Sequence, residues 1–519
     1  MELPEQTVFI EHIKRAEYPE PPFNPPKSYP EFTSIPLQAL DASNEIYDAV
    51  RRLFLALGFD REHEGTKEWN PLKDLVVPEN LVVIKPNLVL HKHPLGKRGV
   101  GSMITHGSVI RPIVDYVWKA LEGRGEIIIC DVPLQTANWD TMMESTGLAS
   151  MVTYLSNQGV NVKLLDLRLE HAILNKYGVI TKRIKWNGDP RGYVAVDLGD
   201  QSALIPIAKQ YQQLTITDYP QQAVATHHNL TKNEYLIAKT ILAADVFINV
   251  PKLKTHKKAG VTLSMKNLIG INGDKSWIAH HREGNPKKGG DEFPYINRWD
   301  LFRYRLFVAL KYRRWGIPLL SFLLRLLHNI SALQQHMKGT HSRSGLLKFK
   351  SITEGSWYGN DTLWRVILDL NRILLYADKE GKLKNNIQRR YITIIDGIVG
   401  GEGNGPMHQS PKEAKVIFAG FSPLIVDTVA TRFMGFNYHK IPQLRYGFKS
   451  HTYPLAPCPP RKISVVDQNR VIPFERWNPS PLLAFHPPIT WRGHIELQEA
   501  AAVLTTQPYI PEFADEGGE

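Results

Sequence analysis

Four apolar runs in this sequence each end in side chains with chemistry. Leu81-Val82-Val83-Ile84 runs into Lys85-Pro86-Asn87, and Ile127-Ile128-Ile129-Cys130 into Asp131. Val246-Phe247-Ile248 runs into Asn249 and then Lys252-Leu253-Lys254-Thr255-His256, and Ile392-Thr393-Ile394-Ile395 into Asp396-Gly397. An ammonium group attracts phosphate or carboxylate as a point charge, and a carboxylate holds a divalent metal or moves a proton. Lys85, Lys252, Lys254 and Lys266 are therefore candidate anion ligands, with the amides Asn87, Asn249 and Asn267 beside them. Asp131 and Asp396 are candidate metal ligands or proton carriers. His106 and His256 are candidate acid–base groups, since imidazole titrates near neutrality.

Three further segments frame these residues. Thr105-His106-Gly107-Ser108 precedes a helix, so free amides at its start would suit an anion, and an ordinary helix cap is the alternative. Asp396 to Pro406 holds five glycines in its last nine residues before the proline. Gly403 and Gly405 are expected to bring backbone close to a substrate phosphate, with a flexible turn as the alternative. His280-His281-Arg282 offers imidazoles, but no spaced metal motif such as HExxH accompanies them. Lys257 and Lys258 are expected to be solvated surface charges. Asp427 reads first as the cap of the helix that follows it, with reaching the site as the alternative, and Trp357 and Tyr358 either wall a substrate pocket or pack in the core.

The elements that must position these groups are short strands alternating with helices. Strands are expected at Leu81–Ile84, Glu126–Cys130, Val162–Leu165, Val246–Asn249 and Ile392–Ile395, with a sixth at Lys415–Phe418. Helices are expected at Ile46–Leu57, Ser108–Leu121, Trp139–Leu155, Lys232–Leu242 and Ile425–Met434. Apolar strands without alternation, separated by helices, imply an α/β fold: a largely parallel sheet with helices on both faces. Ligands of such sheets bind at the carboxyl ends of the strands, where the four endings would meet. The stretch from Pro190 to Leu214 alternates more and suggests an antiparallel excursion.

The expected organisation is an N-terminal arm and helix (1–75), an α/β core in two parts (76–298 and 385–440), a helical insertion (299–384) and a Pro-rich C-terminal extension (441–519). Within the insertion, Trp315 to Leu327 is the most apolar stretch, preceded by Lys311, Arg313 and Arg314. It is too short to span a bilayer. It reads as a cap helix or as a peripheral membrane contact.

The chain has 519 residues, 43% hydrophobic and 22% charged, with a formal charge of +12. That balance excludes wholesale disorder and a multi-span membrane protein, and it favours acidic partners. Two cysteines, Cys130 and Cys458, exclude a disulfide framework and an iron–sulfur cluster built within a single chain. Aromatic residues do not interleave a basic run, so no nucleic-acid partner is expected. Walker A, GxGxxG-plus-helix and GxSxG patterns are missing. The start, Met1 to Gln6, has no basic and apolar leader, so no signal peptide is expected.

Taken together, Lys85-Pro-Asn87-Leu-Val, Thr105-His106, Asn249-Val-Pro-Lys252-Leu-Lys254-Thr-His256 with Lys266-Asn267, Asp396-Gly-Ile, Gly403-Asn-Gly-Pro406 and Asp427-Thr-Val-Ala resemble the family called domain of unknown function 362. The resemblance runs from about residue 78 to 440 and implies a fold and a shared site without a reaction. Some members carry a ferredoxin-type cysteine cluster that this chain lacks. The His256, Ala259, Gly260, Lys266 segment is also loosely similar to lactate-racemase-like nickel enzymes. The expectation is a cytoplasmic enzyme, peripheral to the inner face of a membrane if the 315–327 segment docks there. It would act on an anionic small molecule, with a divalent metal as the candidate cofactor and oligomer formation left open. The alternatives are a non-catalytic binding or scaffold protein on a membrane or biosynthetic complex, and an accessory redox protein.

Overall fold

Each buried strand serves two cores at once, because successive side chains point to opposite faces. Val82, Ile84, Ile127, Ile129, Val246 and Ile248 pack into one core, and Val83, Ile128, Cys130 and Phe247 into the other. The computed structural model describes residues 4–32, 37–175, 180–220, 222–294, 353–479 and 482–506, with Phe302, Arg305, Leu306 and Leu310. The 315–327 segment lies outside the described residues.

The strands are β1 (Thr7–His12), β2 (Leu81–Pro86), β3 (Glu126–Asp131), β4 (Val162–Asp166), β5 (Glu170–Leu174), β6 (Ile180–Lys185), β7 (Tyr193–Asp197), β8 (Leu214–Thr215) and β9 (Glu234–Ala238). They continue with β10 (Val246–Val250), β11 (Lys252–His256), β12 (Gly260–Val261), β13 (His281–Arg282), β14 (Arg390–Asn404), β15 (His408–Gly420), β16 (Ser464–Asp467) and β17 (Arg470–Pro473). The central sheet runs β17-β16-β1-β15-β14-β10-β2-β3-β4, with β11 and β12 attached beside β14. The block β14-β10-β2-β3-β4 is parallel throughout. The fold is thus α/β with a large, mostly parallel sheet. An early and a late segment meet in it: β1 pairs antiparallel with β15 and parallel with β16.

One face is covered by α1 (Glu45–Leu57), α3 (Gly107–Ala120), α4 (Trp139–Ser145) and α5 (Leu148–Asn157). Asn44 caps α1 by accepting from the Tyr47 amide, and Gly58 ends it in the left-handed region. The other face is covered by α7 (Leu263–Asn267), α8 (Leu363–Tyr376) and α9 (Pro423–Phe433), where Met265, Ile367, Leu424 and Val429 are buried. Short helices α2 (Gly96–Met103) and α6 (Lys239–Ala243) connect strands. Among the described residues no helix is long and apolar enough to cross a membrane.

Three expectations change. Lys232–Leu242 is strand β9 followed by the short α6, because Tyr235 and Ile237 alternate into the core while β7 supplies an antiparallel partner. Trp139–Leu155 is two helices, since the chain turns at Gly147, φ +70°. The glycine run belongs to β14, which extends to Asn404 instead of stopping at Ile395. There the glycines allow close chain contact: a Cβ on Gly401 would stand 2.7 Å from the Ser102 carbonyl, and one on Gly405 2.1 Å from that of Thr255. The antiparallel excursion after Pro190 is present as the β7–β9 pair.

Candidate functional site

The carboxyl ends of β2, β3 and β10, the start of β11 and the middle of β14 hold the predicted residues in two ion-pair clusters. In the first, the Lys85 ammonium lies 2.7 Å from Asp131 Oδ1, and both side chains are buried. It also donates to the Pro86 carbonyl and to Asn267 Oδ1. Asp131 accepts from the amides of Val132 and Leu88, at 2.8 and 2.7 Å. Burial pushes the Asp131 carboxyl upward, and the ammonium and the two amides oppose it. Gly270 closes over this pair, where a Cβ would stand 2.0 Å from Asp131 Oδ1.

An amide ladder extends from the pair. Asn87 donates to Asn267 Oδ1 at 2.9 Å, and Asn267 donates to Asn249 Oδ1 at 2.7 Å. Asn249 donates to the Ser264 carbonyl and the Tyr391 hydroxyl. Asn87 Oδ1 is buried without a hydrogen-bond partner among the described residues.

In the second cluster Lys252 lies 2.9 Å from Asp396 Oδ2, with neither side chain exposed. The hydroxyl of Tyr18 donates to Asp396 Oδ1 at 2.9 Å and accepts from the Lys252 ammonium at 2.5 Å. Desolvation lowers the Lys252 ammonium and raises the Tyr18 phenol well above its usual range. Tyr18 stacks on His106, ring centroids 4.2 Å apart. His106 is itself the cap of α3: Nδ1 accepts from the Ser108 amide, and its own amide donates to Asp396 Oδ2 at 3.1 Å. The Gly107 amide donates to the Thr146 carbonyl. The start of α3 is therefore closed by protein groups, and burial holds the His106 imidazole neutral, at about 3.

The sequence prepared Asp131 and Asp396 for a metal, and the donor set does not fit one. A lysine ammonium already sits against each carboxylate, and amide or phenol donors take the remaining lone pairs. Among the described residues, three metal-type ligands converge only at Asp60, Glu62 and His63. There Asp60 is engaged by Lys73, His63 and the Asn70 amide.

The other cations behave differently. Lys254 donates to the Met103 carbonyl at 2.5 Å, Lys258 to Thr217 Oγ1 at 3.3 Å, and Lys275 to the carbonyls of Val132 and Ile269. Lys266 is half-buried and has no hydrogen bond or ion pair among the described residues. No carboxylate of the described residues forms an ion pair with any of these four. Burial comes first in depressing all four: Lys254 well below its usual value, Lys258 and Lys275 to about 8, Lys266 to about 7. Repulsion adds to it at Lys254, from Lys266, and at Lys266, from Lys275 and Lys258, whereas Glu354 opposes it at Lys258 and Asp131 at Lys275. Lys258 is 8% exposed, against the expectation of a solvated charge. His256 and His280 border the group, both held well below the ordinary imidazole value by burial and the adjacent ammoniums. His256 Nδ1 accepts from the Lys258 amide, so its proton resides on Nε2.

Gly403 and Gly405 are engaged with protein. The Gly403 amide donates to the His486 carbonyl, and its carbonyl accepts from Thr255 Oγ1. The Gly405 amide donates to the Gly403 carbonyl. Trp357 donates to the Asp291 carbonyl, and Tyr358 stacks on His494 at 3.5 Å. A cavity of about 320 Å³ is lined by Arg432, Tyr438, Phe474 and neighbours, and none of the candidate residues faces it.

Sequence reasoning missed Tyr18, Lys258 and Lys275, and it read Asp427 foremost as the cap of the helix that follows it. Asp427 lies inside α9, and its carboxylate accepts from the amides of Ser264 and Met265, at 2.7 and 2.8 Å. It therefore caps α7, the helix that carries Lys266 and Asn267. Burial pushes its carboxyl up to about 7. Asp427→Ala would orphan two buried amides and is expected to cost about 2–3 kcal/mol in urea denaturation.

Residues 199–432 match the family model described as Domain of unknown function (DUF362). This segment is similar to that family. It contributes Asn249, Lys252, Lys254, His256, Lys258, Lys266, Asn267, Lys275, Asp396 and Asp427. Lys85, Asn87, His106 and Asp131 lie before the matched DUF362 segment and reach it through the sheet. No curated protein and no solved structure matches the chain.

Proposed function

We propose that this chain is an enzyme that binds a small phosphate- or carboxylate-bearing substrate between the ends of β2, β3 and β11 and helix α7. The single observation carrying this reading is the convergence of Lys254, Lys258, Lys266 and Lys275 without a paired carboxylate among the described residues. Buried ammoniums left unpaired are costly, and a bound anion removes that cost. The two neutralised pairs, Lys85–Asp131 and Lys252–Asp396, act as the rigid floor. Asn87 Oδ1 is left to accept from a substrate hydroxyl. His256 presents Nε2–H as a hydrogen-bond donor to substrate oxygen.

Native mass spectrometry of protein purified at low salt tests this. A retained anionic small molecule is expected, and it should be lost from a Lys254→Met, Lys266→Met double variant. A ligand that is retained equally by the variant would count against this location for the site.

A further inference from the structure

The cavity of about 320 Å³ stands apart from the lysine cluster and is built largely by residues that follow the matched segment. Its walls include the apolar side chains of Phe436, Tyr438, Phe474 and Leu497. Phe436 and Phe474 are almost fully buried, and the Tyr438 and Phe474 rings lie 5.8 Å apart at 58°. Backbone hydrogen bonds hold these walls in place. The Leu497 amide donates to the Gly435 carbonyl at 2.9 Å, and the Asn437 amide to the Ile495 carbonyl at 2.7 Å. Arg432, in the last turn of α9, lines the same space. Its Nη1 donates to the carbonyls of Phe474 and Trp477, and its guanidinium carbon lies 4.3 Å from the Phe474 ring centroid.

A guanidinium fixed through one nitrogen, with an aromatic ring against its face, has already given up the side-chain freedom that binding an anion would cost. Its other N–H groups keep the planar geometry that a carboxylate meets with paired hydrogen bonds. The rim carries the same sign of charge. Lys440 follows the lining residue His439, the turn Pro460–Lys462 brings Arg461 and Lys462, and Arg476 follows the lining residue Glu475. All four of these cations are exposed. Glu475 and Glu499 also act on Arg432, but both are exposed, where water and salt weaken their field. Ligand pockets run from about 300 to 1,000 Å³, so this one suits a body of one or two rings. We propose that the cavity binds a small aromatic carboxylate, with its ring against Phe436, Tyr438 and Leu497 and its carboxylate on Arg432. This site is separate from the lysine cluster and does not depend on that reading.

The test is calorimetric titration of the full chain with 2-naphthoate, and with the uncharged 2-naphthamide in parallel. Saturable naphthoate binding is expected, with the amide at least ~10-fold weaker because it lacks the charge that Arg432 pairs. Arg432→Gln and Arg432→Lys both give up the Nη1 bonds to the two carbonyls, so comparing them isolates the charge. Arg432→Gln should weaken naphthoate by at least ~10-fold, and Arg432→Lys should bind it more tightly than Arg432→Gln does. Leu497→Trp fills the cavity and leaves the guanidinium in place. It should lose naphthoate binding while its circular dichroism and its response to inorganic phosphate stay unchanged, which separates this site from the lysine cluster. Four results would overturn the proposal: no saturable binding of naphthoate, equal affinity for acid and amide, equal binding by the two Arg432 variants, or naphthoate binding that survives Leu497→Trp.

Discussion

Asp131→Ala is expected to lower stability by about 3–5 kcal/mol, because it leaves the Lys85 ammonium buried without its counter-ion. The pair is 2.7 Å apart with both side chains almost fully buried, so solvent cannot take over the lost partner. The amides of Leu88 and Val132 would also lose their acceptor. The double variant Lys85→Met, Asp131→Leu removes both charges and should recover much of the loss, since buried pairs often exchange for apolar residues at little cost. Urea denaturation with a constant m-value reads both quantities. A single-variant loss below about 1 kcal/mol would mean that the pair is hydrated in solution.

Stability should rise between pH 8 and about 9.5 when no anion is present. Lys258 and Lys275, at about 8, and Lys266, at about 7, all sit below their ordinary value of 10.5 in the folded chain. A depressed folded pKa contributes stability that is present above the unfolded value and is lost as pH falls through the folded one. Across this window these lysines bind more protons in the unfolded chain than in the folded one, so their contribution climbs with pH, opposed in part by Cys130, whose thiol burial keeps protonated in the folded chain. The expected size is about 2 kcal/mol for each lysine that follows this behaviour fully. The window lies above the folded value of Asp427, about 7, and above the depressed histidines. Inorganic phosphate at saturation should pair the ammoniums, restore their protons and flatten the slope, stabilising most at pH 8. Lys266→Met should remove roughly a quarter of the apo slope, a share set by counting the four depressed lysines equally. Thermal unfolding across this range, with and without phosphate, measures each effect, and a flat apo profile would contradict the account.

Several parts of this site are readable from local sequence for a physical reason. A parallel strand is buried on both faces, so its residues stay apolar until it reaches the carboxyl edge. The change to Lys85, Asp131 or Asn249 therefore marks the edge itself, whereas Asp396 lies within β14. The ion pairing of those residues is not local: Lys85 meets Asp131 only because β2 and β3 are parallel neighbours in register. Their separate side chains read as ligands for something else, and the fold spends them on each other. Tyr18 carries no signal, because a tyrosine in a proline-rich segment becomes informative only once β1 enters the sheet. Lys258 reads as a surface charge because its partner in sequence, Lys257, is half-buried, whereas the turn into β12 carries Lys258 inward. The glycines of β14 read as a phosphate loop because flexibility and close packing both require the missing Cβ. Only the neighbouring chains reveal which of the two operates.

The measurement bearing most directly on the central claim is calorimetric titration of the full chain with inorganic phosphate and pyrophosphate at pH 8, in two buffers of different ionisation enthalpy. An anion that completes the lysine cluster must draw protons onto amines that are partly neutral there. The account predicts one site per chain, net proton uptake on binding, and loss of both in the Lys254→Met, Lys266→Met variant. Absence of binding, or binding without proton uptake that the double variant leaves unchanged, would contradict it.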